Sequence, residues 1–257
     1  MKRIMIKIAY DGTNYNGWQT GDKTNGIEDI LNSKISKLTG ENIKIIGTSR
    51  TDSGVHSNGN IAVFDTDSKI RPDKFCFAIN NLLPNDISIL ESNEVDENFN
   101  PRKHNAIKTY IYRIHCDTIR NPIKEHFAHH VYYNINVDKM ITASKYLIGV
   151  HDFKSFINPD SQTLKLAKQI GNTDECITTR EIYSIDISKN DDIITINIRG
   201  NGFLYHMVRI ICGTLLKIGM NMWEPEYIIE IMNKKDRKYA GFTLPAKGLT
   251  LENIEFI

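Results

Sequence analysis

Apolar residues in this chain repeatedly switch between a period of two and a helical period, and that alternation limits it to a mixed α+β fold. Residues 3–10 place Ile4, Ile6 and Ile8 against Arg3, Met5 and Lys7, as a half-buried strand requires. In residues 26–38, Ile27, Ile30, Leu31, Ile35 and Leu38 fall on one side, with Glu28, Lys34 and Lys37 on the other, which is the pattern of an amphipathic helix. The same reading predicts strands at 43–46, 60–64, 108–116, 131–133, 181–187, 193–199 and near 248–256. It predicts helices at 71–83, near 138–148, at 206–218 and from Pro225 to Met232. The simplest packing is two α+β units, 1–104 and 105–257, sharing one long antiparallel sheet. No fixed-period repeat is present. Residues 163–177 have no clear period, carry Gly171-Asn172, and are expected to form a loop.

Among 257 residues, 40% are hydrophobic and 25% charged, which is too apolar for a disordered chain. No apolar run approaches the roughly 18 residues that span a bilayer, and the alternation after Met1-Lys2-Arg3 replaces the apolar core of a signal peptide. A cytoplasmic protein with no membrane partner is expected. Cys76, Cys116, Cys176 and Cys212 are widely spaced with no C-x-x-C pair, so reduced, mostly buried thiols are expected rather than zinc or a disulfide framework. Lys and Arg number 32 and Asp and Glu 31, so any surface for a polyanion must be local. One candidate is 101–125, where Arg102, Lys103, Lys108, Arg113, Arg120 and Lys124 face only Asp117 and Glu125. A solvated strand pair has the same composition.

Three runs bear on chemistry. In GTSRTDSGVHSNGN, at 47–60, Arg50, Asp52 and His56 lie among small residues. Asp52-Ser53-Gly54 makes a good tight turn. Alternatively, Arg50 and Asp52 project to one side of an extended segment, and the arginine holds the carboxylate ionised as a nucleophile or base. In GNGFLYHMVRIICGTLLKIG, at 200–219, Arg209 is a cation on an otherwise apolar helix, and it either snorkels outward or pairs with a buried carboxylate. In KTYIY, Lys108, Tyr110 and Tyr112 share one strand face, as sheet packing, a pocket acid/base or a base-stacking platform. His126, His129 and His130 lack a carboxylate or thiol at metal-ligand spacing. Gly200-x-Gly202 lacks the third glycine of a dinucleotide site, and there is no phosphate-binding loop. Neither a metal nor a nucleotide cofactor is expected.

Taken in order, eight segments resemble the bacterial TruA-type tRNA pseudouridine synthases: YDGTNYNGWQ (10–19), SRTDSGVHS (49–57), AINNLLP (78–84), FNPRKHNAIKTYIYRI (99–114), GVHDFKSF (149–156), TTREI (178–182), NGFLYHMVRIICGTLLKIG (201–219) and LPAKGLTL (244–251). The resemblance implies a pseudouridine synthase fold: two ferredoxin-like α/β halves sharing a central antiparallel sheet, with the active-site cleft between them. It implies that Asp52 is the catalytic aspartate, forming a covalent intermediate at ribose C1′ or base C6. Tyr110 would be the base that removes the C5 proton, and Arg209 the partner of Asp52. Arg50 would fill the space left by the extruded nucleotide, Leu249 would pack on the flipped base, and Thr51 and His56 of the same motif would belong to the substrate-binding set. The implied substrate is uridine in the tRNA anticodon stem-loop, about positions 38–40. A homodimer acting without cofactor is implied as well.

Where the family shows small residues around Arg-Thr-Asp, this chain has Thr48, Ser49, Ser53 and Ser57. The same chemistry on another RNA such as ribosomal RNA is therefore an alternative, and a non-catalytic RNA-binding protein is a separate one.

Overall fold

In the computed structural model, which describes residues 1–19, 25–169 and 177–257, Ile4, Ile6 and Ile8 are fully buried. They lie on strand β1 (Lys2–Tyr10), and at about 1.5–3 kcal/mol per buried aliphatic side chain this alternation fixes which face of the strand turns inward. The elements that follow are α1 (Ile27–Thr39), β2 (Ile46–Gly47), β3 (His56–Thr66), α2 (Phe75–Asn80), β4 (Ile87–Val95), β5 (Ala106–Cys116), β6 (His129–Val131), α3 (Val137–Ser144), β7 (Gly149–Asp152), α4 (Gln162–Gln169), β8 (Thr179–Asn190), β9 (Ile193–Gly200), α5 (Met207–Gly219), α6 (Tyr227–Lys234) and β10 (Leu249–Phe256). They form two compact units, Met1–Ala106 with Thr250–Ile257, and Ile107–Leu249. The C-terminal strand therefore counts with the first unit.

In the first unit the strand order is β4–β1–β3–β10, with β2 on β3. The pairings are antiparallel except for the short parallel contact of Thr250 and Leu251 with His56 and Ser57. Ile27, Leu31 and Ile35 of α1 and Phe75 and Ile79 of α2 join the buried face of β1 in one apolar cluster. The strand expected at 43–46 shrinks to Ile46–Gly47. The Ile43 and Ile45 amides donate instead to Ser36 Oγ and Asn32 Oδ1 of α1, at 2.9 and 2.8 Å. The helix expected at 71–83 divides into a 3-10 turn, Pro72–Lys74, and α2. Asn80 ends α2 by bonding both backbone polar groups of Ile89 through its side chain (2.7 and 2.9 Å), tying the helix to β4.

In the second unit the order is β5–β9–β8–β7, antiparallel, with β6 parallel on β5. Tyr112, Ile114, Ile194, Ile196 and Ile198 are fully buried on one face, and α3 packs against α5. The loop expected at 163–177 is corrected in part: 162–169 is a helix, begun where Ser161 accepts from the amides of Leu164, through its hydroxyl, and Lys165, through its carbonyl. Its polar composition hides the helical period. Residues 170–176 of that expectation lie outside the described residues, as does Cys176. Cys76 and Cys212 are buried and Cys116 half-buried, all as free thiols. Among the described residues no helix is long and apolar enough to cross a membrane.

Candidate active site

The residues singled out in the sequence fall into two sets, one in each unit. Arg50, Thr51, Asp52 and His56 belong to the first. Asp52 lies on the loop between β2 and β3, half-buried, with Arg50 exposed beside it and Thr51 and His56 buried. This loop is held along its length by residues 10–18. The Thr51 hydroxyl hydrogen-bonds the Tyr10 hydroxyl (2.8 Å), and the Trp18 amide donates to the Thr51 carbonyl (3.1 Å). Tyr15 O accepts from the Ser53 hydroxyl (3.1 Å) and the Gly54 amide (3.3 Å).

Backbone approach at this loop is too close for side chains. A Cβ on Gly12 would lie 2.0 Å from Val55 O, and one on Gly17 would lie 2.5 Å from Thr51 O. Gly54, at φ +78, makes the turn after Asp52, and the Val55 amide closes it onto Asp52 O at 3.1 Å. The tight-turn reading of Asp52-Ser53-Gly54 therefore holds.

His56 has its Nδ1 3.1 Å from the Gly12 amide and 3.1 Å from Asp11 Oδ1. One nitrogen cannot accept from Gly12 and donate to Asp11 together. Asp11 Oδ1 also accepts from Thr13 N (3.0 Å) and Oγ1 (2.6 Å), and His56 Nδ1 accepts from the Gly12 amide. Below this layer the Tyr15 hydroxyl donates to Asp86 Oδ1 (2.5 Å), and burial, with that bond next, pushes the phenol well above its ordinary range.

Tyr110, Arg209 and Leu249 belong to the second unit. Tyr110 is buried on β5 with Phe203 edge-on at 5.3 Å. Arg209, in the first turn of α5, donates from Nε to Leu244 O at 2.7 Å. That carbonyl reaches the helix because α5 carries Gly213, where a Cβ would lie 1.9 Å from Phe242 O, and Thr214, whose hydroxyl accepts from the Gly241 amide at 2.9 Å. The helix is therefore notched so that residues 241–245 lie along it and orient the guanidinium. Tyr112 donates to Pro245 O at 2.8 Å. Burial raises its phenol well above the usual value, with the nearby Cys212 adding to this and Arg209 opposing it. Gly248 lies against the Tyr112 ring, at 2.6 Å for an added Cβ, and so sets the position of Leu249, which is buried.

Tyr10 ends the strand expected at 3–10, but the role of residues 10–18 as the support of the Asp52 loop was not legible. A second cluster was also missed. His115 Nε2 lies 3.0 Å from Asp192 Oδ2 and 3.9 Å from Asp117 Oδ2, and among the described residues these three form a group that could hold a metal ion. Lys124 hydrogen-bonds Asp192 there, supplying a cation of the protein's own. None of His126, His129 and His130 belongs to this cluster.

Asp52 thus lies on a braced turn of the first unit, and Arg209 on a notched helix of the second. The model of the tRNA pseudouridine synthase family matches residues 6–102 and 143–256. The chain is 38% identical over 254 residues to tRNA pseudouridine synthase A of Thermoanaerobacter sp. (strain X514), covering 99% of each chain. It is 42% identical to tRNA pseudouridine synthase A of Ruminiclostridium cellulolyticum over 100% of each. It is also 42% identical to tRNA pseudouridine synthase A 2 of Clostridium tetani over 98% of each. This chain belongs to the tRNA pseudouridine synthase family.

Proposed function

We propose that the protein isomerises uridine to pseudouridine in the anticodon stem-loop of tRNA, about positions 38–40, acting in the cytoplasm as a homodimer. The observation that carries this reading is the full-length match to tRNA pseudouridine synthases in a chain whose Arg-Thr-Asp loop is held by residues 10–18.

The product is an isomer of the substrate, so the reaction needs no oxidant, reductant or group donor. Asp52 forms the covalent intermediate as the bond between ribose C1′ and uracil N1 breaks. The base turns, C5 bonds to C1′, and the covalent bond to Asp52 breaks, returning the free carboxylate. Tyr110 takes the C5 proton, and N1 gains one. Arg209, oriented by Leu244 O, stabilises the Asp52 carboxylate. Arg50, exposed on the loop, fills the stack from which the base has left, offsetting an unstacking cost of about a few kcal/mol, and Leu249 packs on the extruded base. Thr51 and His56, buried against Tyr10 and Gly12, act through the position of Asp52.

The test is site-resolved pseudouridine mapping on unmodified tRNA and ribosomal RNA transcripts, with wild-type protein and Asp52→Ala and no cofactor added. Asp52-dependent signal in the anticodon stem-loop is expected. Signal confined to ribosomal RNA refutes the substrate assignment, and RNA retention without any signal refutes the enzyme.

A further inference from the structure

Two cations of the second unit are absorbed by none of the roles above. Lys108 pairs with Gly200 across β5 and β9, and Gly200 pairs with Ile182 across β9 and β8. Residues directly opposite in a sheet project to the same face, as do residues two apart on one strand. Lys108, Tyr110 and Arg180 therefore share one face. The strand between the two cations contributes no side chain there, because Gly200 occupies that position. Over it lies the Phe203 ring, 3.1 Å from where a Cβ would be and edge-on to Tyr110.

Arg180 is half-buried and anchored at one end. Its Nη1 donates to Ile177 O (3.2 Å) and Thr179 O (2.6 Å), which fixes the guanidinium plane. Its Nε and Nη2 have no hydrogen bond among the described residues. Next to it, a Cβ on Gly202 would lie 3.7 Å from Arg180 Nε, so the glycine leaves the guanidinium edge uncovered. The Lys108 ammonium is pushed down to about 8, by burial first and then by the charge of Arg180. An anion that bridges two neighbouring cations favours the charged form of both. A planar fork beside a compact ammonium suits two oxygens of one phosphate.

We propose that Lys108 and Arg180 form a binding site for one phosphodiester of the RNA substrate, next to the nucleotide that meets Tyr110. This rests on the reading of the protein as an RNA-modifying enzyme, and it adds a subsite to that reading. The ligand is the RNA backbone, so the site contributes affinity and register without reading sequence.

The experiment measures the affinity of the full-length protein for an unmodified tRNA transcript as a function of salt, with steady-state kinetics alongside. Losing one phosphate contact lowers the slope of log affinity against log salt by about 0.7–0.9, or about five- to eightfold in affinity at 0.1 M salt. Lys108→Met and Arg180→Met are each expected to do this and to raise KM, leaving kcat within about twofold. Lys108→Arg keeps the slope, and so does Lys69→Met, at an exposed lysine of the first unit. Unchanged slopes in well-folded Lys108→Met and Arg180→Met overturn the site, as does a Lys108→Arg protein that loses as much as Lys108→Met.

Should Lys108→Met fail to fold, a scan of single methylphosphonates in the RNA replaces it. At least one position must weaken wild-type binding without weakening Arg180→Met further, and additive losses at every position overturn the proposal. Pseudouridine formation by the wild-type protein is scored separately. Failure of the substrate assignment therefore appears as missing product, and failure of this site as unchanged slopes.

Discussion

Replacing Gly12 by alanine tests whether the support under the Asp52 loop sets the reaction rate. The added methyl would lie 2.0 Å from Val55 O and 2.5 Å from Val55 C, both backbone atoms that no rotamer change can move. Restoring an ordinary contact of about 3.3 Å requires the two segments to separate by more than 1 Å. That shift also stretches the 3.1 Å bond from the Gly12 amide to His56, worth about 1 kcal/mol. Val55 follows Asp52 by one turn, so the carboxylate moves with it. A misplacement of about 1 Å costs on the order of 100-fold in rate, equivalent to about 2.7 kcal/mol in the barrier.

The assay is single-turnover pseudouridine formation at saturating enzyme, with thermal melting and tRNA affinity measured in parallel. Gly40→Ala is the control: it has positive φ (+75) but nothing within 4 Å of the new methyl. It should lose about 1–2 kcal/mol of stability from backbone strain and keep its rate. A folded Gly12→Ala protein reacting within threefold of wild type would refute the idea that this approach positions Asp52.

Three other outcomes follow from the same geometry. Arg209→Met is expected to lower single-turnover rate by at least tenfold while Arg71→Met, at an exposed arginine paired with Asp73, changes it less than twofold; equal effects would remove Arg209 from the proposed mechanism. Tyr112→Phe strips the bond to Pro245 O and should cost about 1–2 kcal/mol in urea unfolding, with an unchanged midpoint as the contrary result. The Arg3 guanidinium holds the Asp65 carboxyl below its ordinary value. The pair therefore contributes stability above the unfolded carboxylate value near 3.9 and loses it as pH falls through the lowered folded value. With Asp65 one-third exposed, Arg3→Met should cost at most about 1 kcal/mol at pH 7 and flatten the acid limb of a stability-against-pH curve. An acid limb identical to wild type would show that the pair adds nothing.

Much of this protein was legible before any tertiary contact was known. The alternation at 3–10 and 193–199 and the helical spacing at 26–38 and 206–218 locate β1, β9, α1 and α5, because burying one face of an element is decided by residues within a few positions of each other. The same locality exposed Asp52 among small residues and Arg209 among apolar ones. The strands β4 and β7 and the helix α4 were not legible. Ile87–Val95 and Gly149–Asp152 are mostly polar edge segments stabilised by their pairing with β1 and β8, and the short α4 has Leu164, Leu166 and Ala167 as its apolar residues, too few to show a period. Only the tertiary structure could join Gly12 to Val55, Thr214 to Gly241, His115 to Asp192, or Lys108 and Arg180 across Gly200. Those contacts span tens of residues and depend on strand register and on glycines that admit a neighbouring backbone. Local residue patterns define which face of an element is buried, but what it meets is decided when the chain closes on itself.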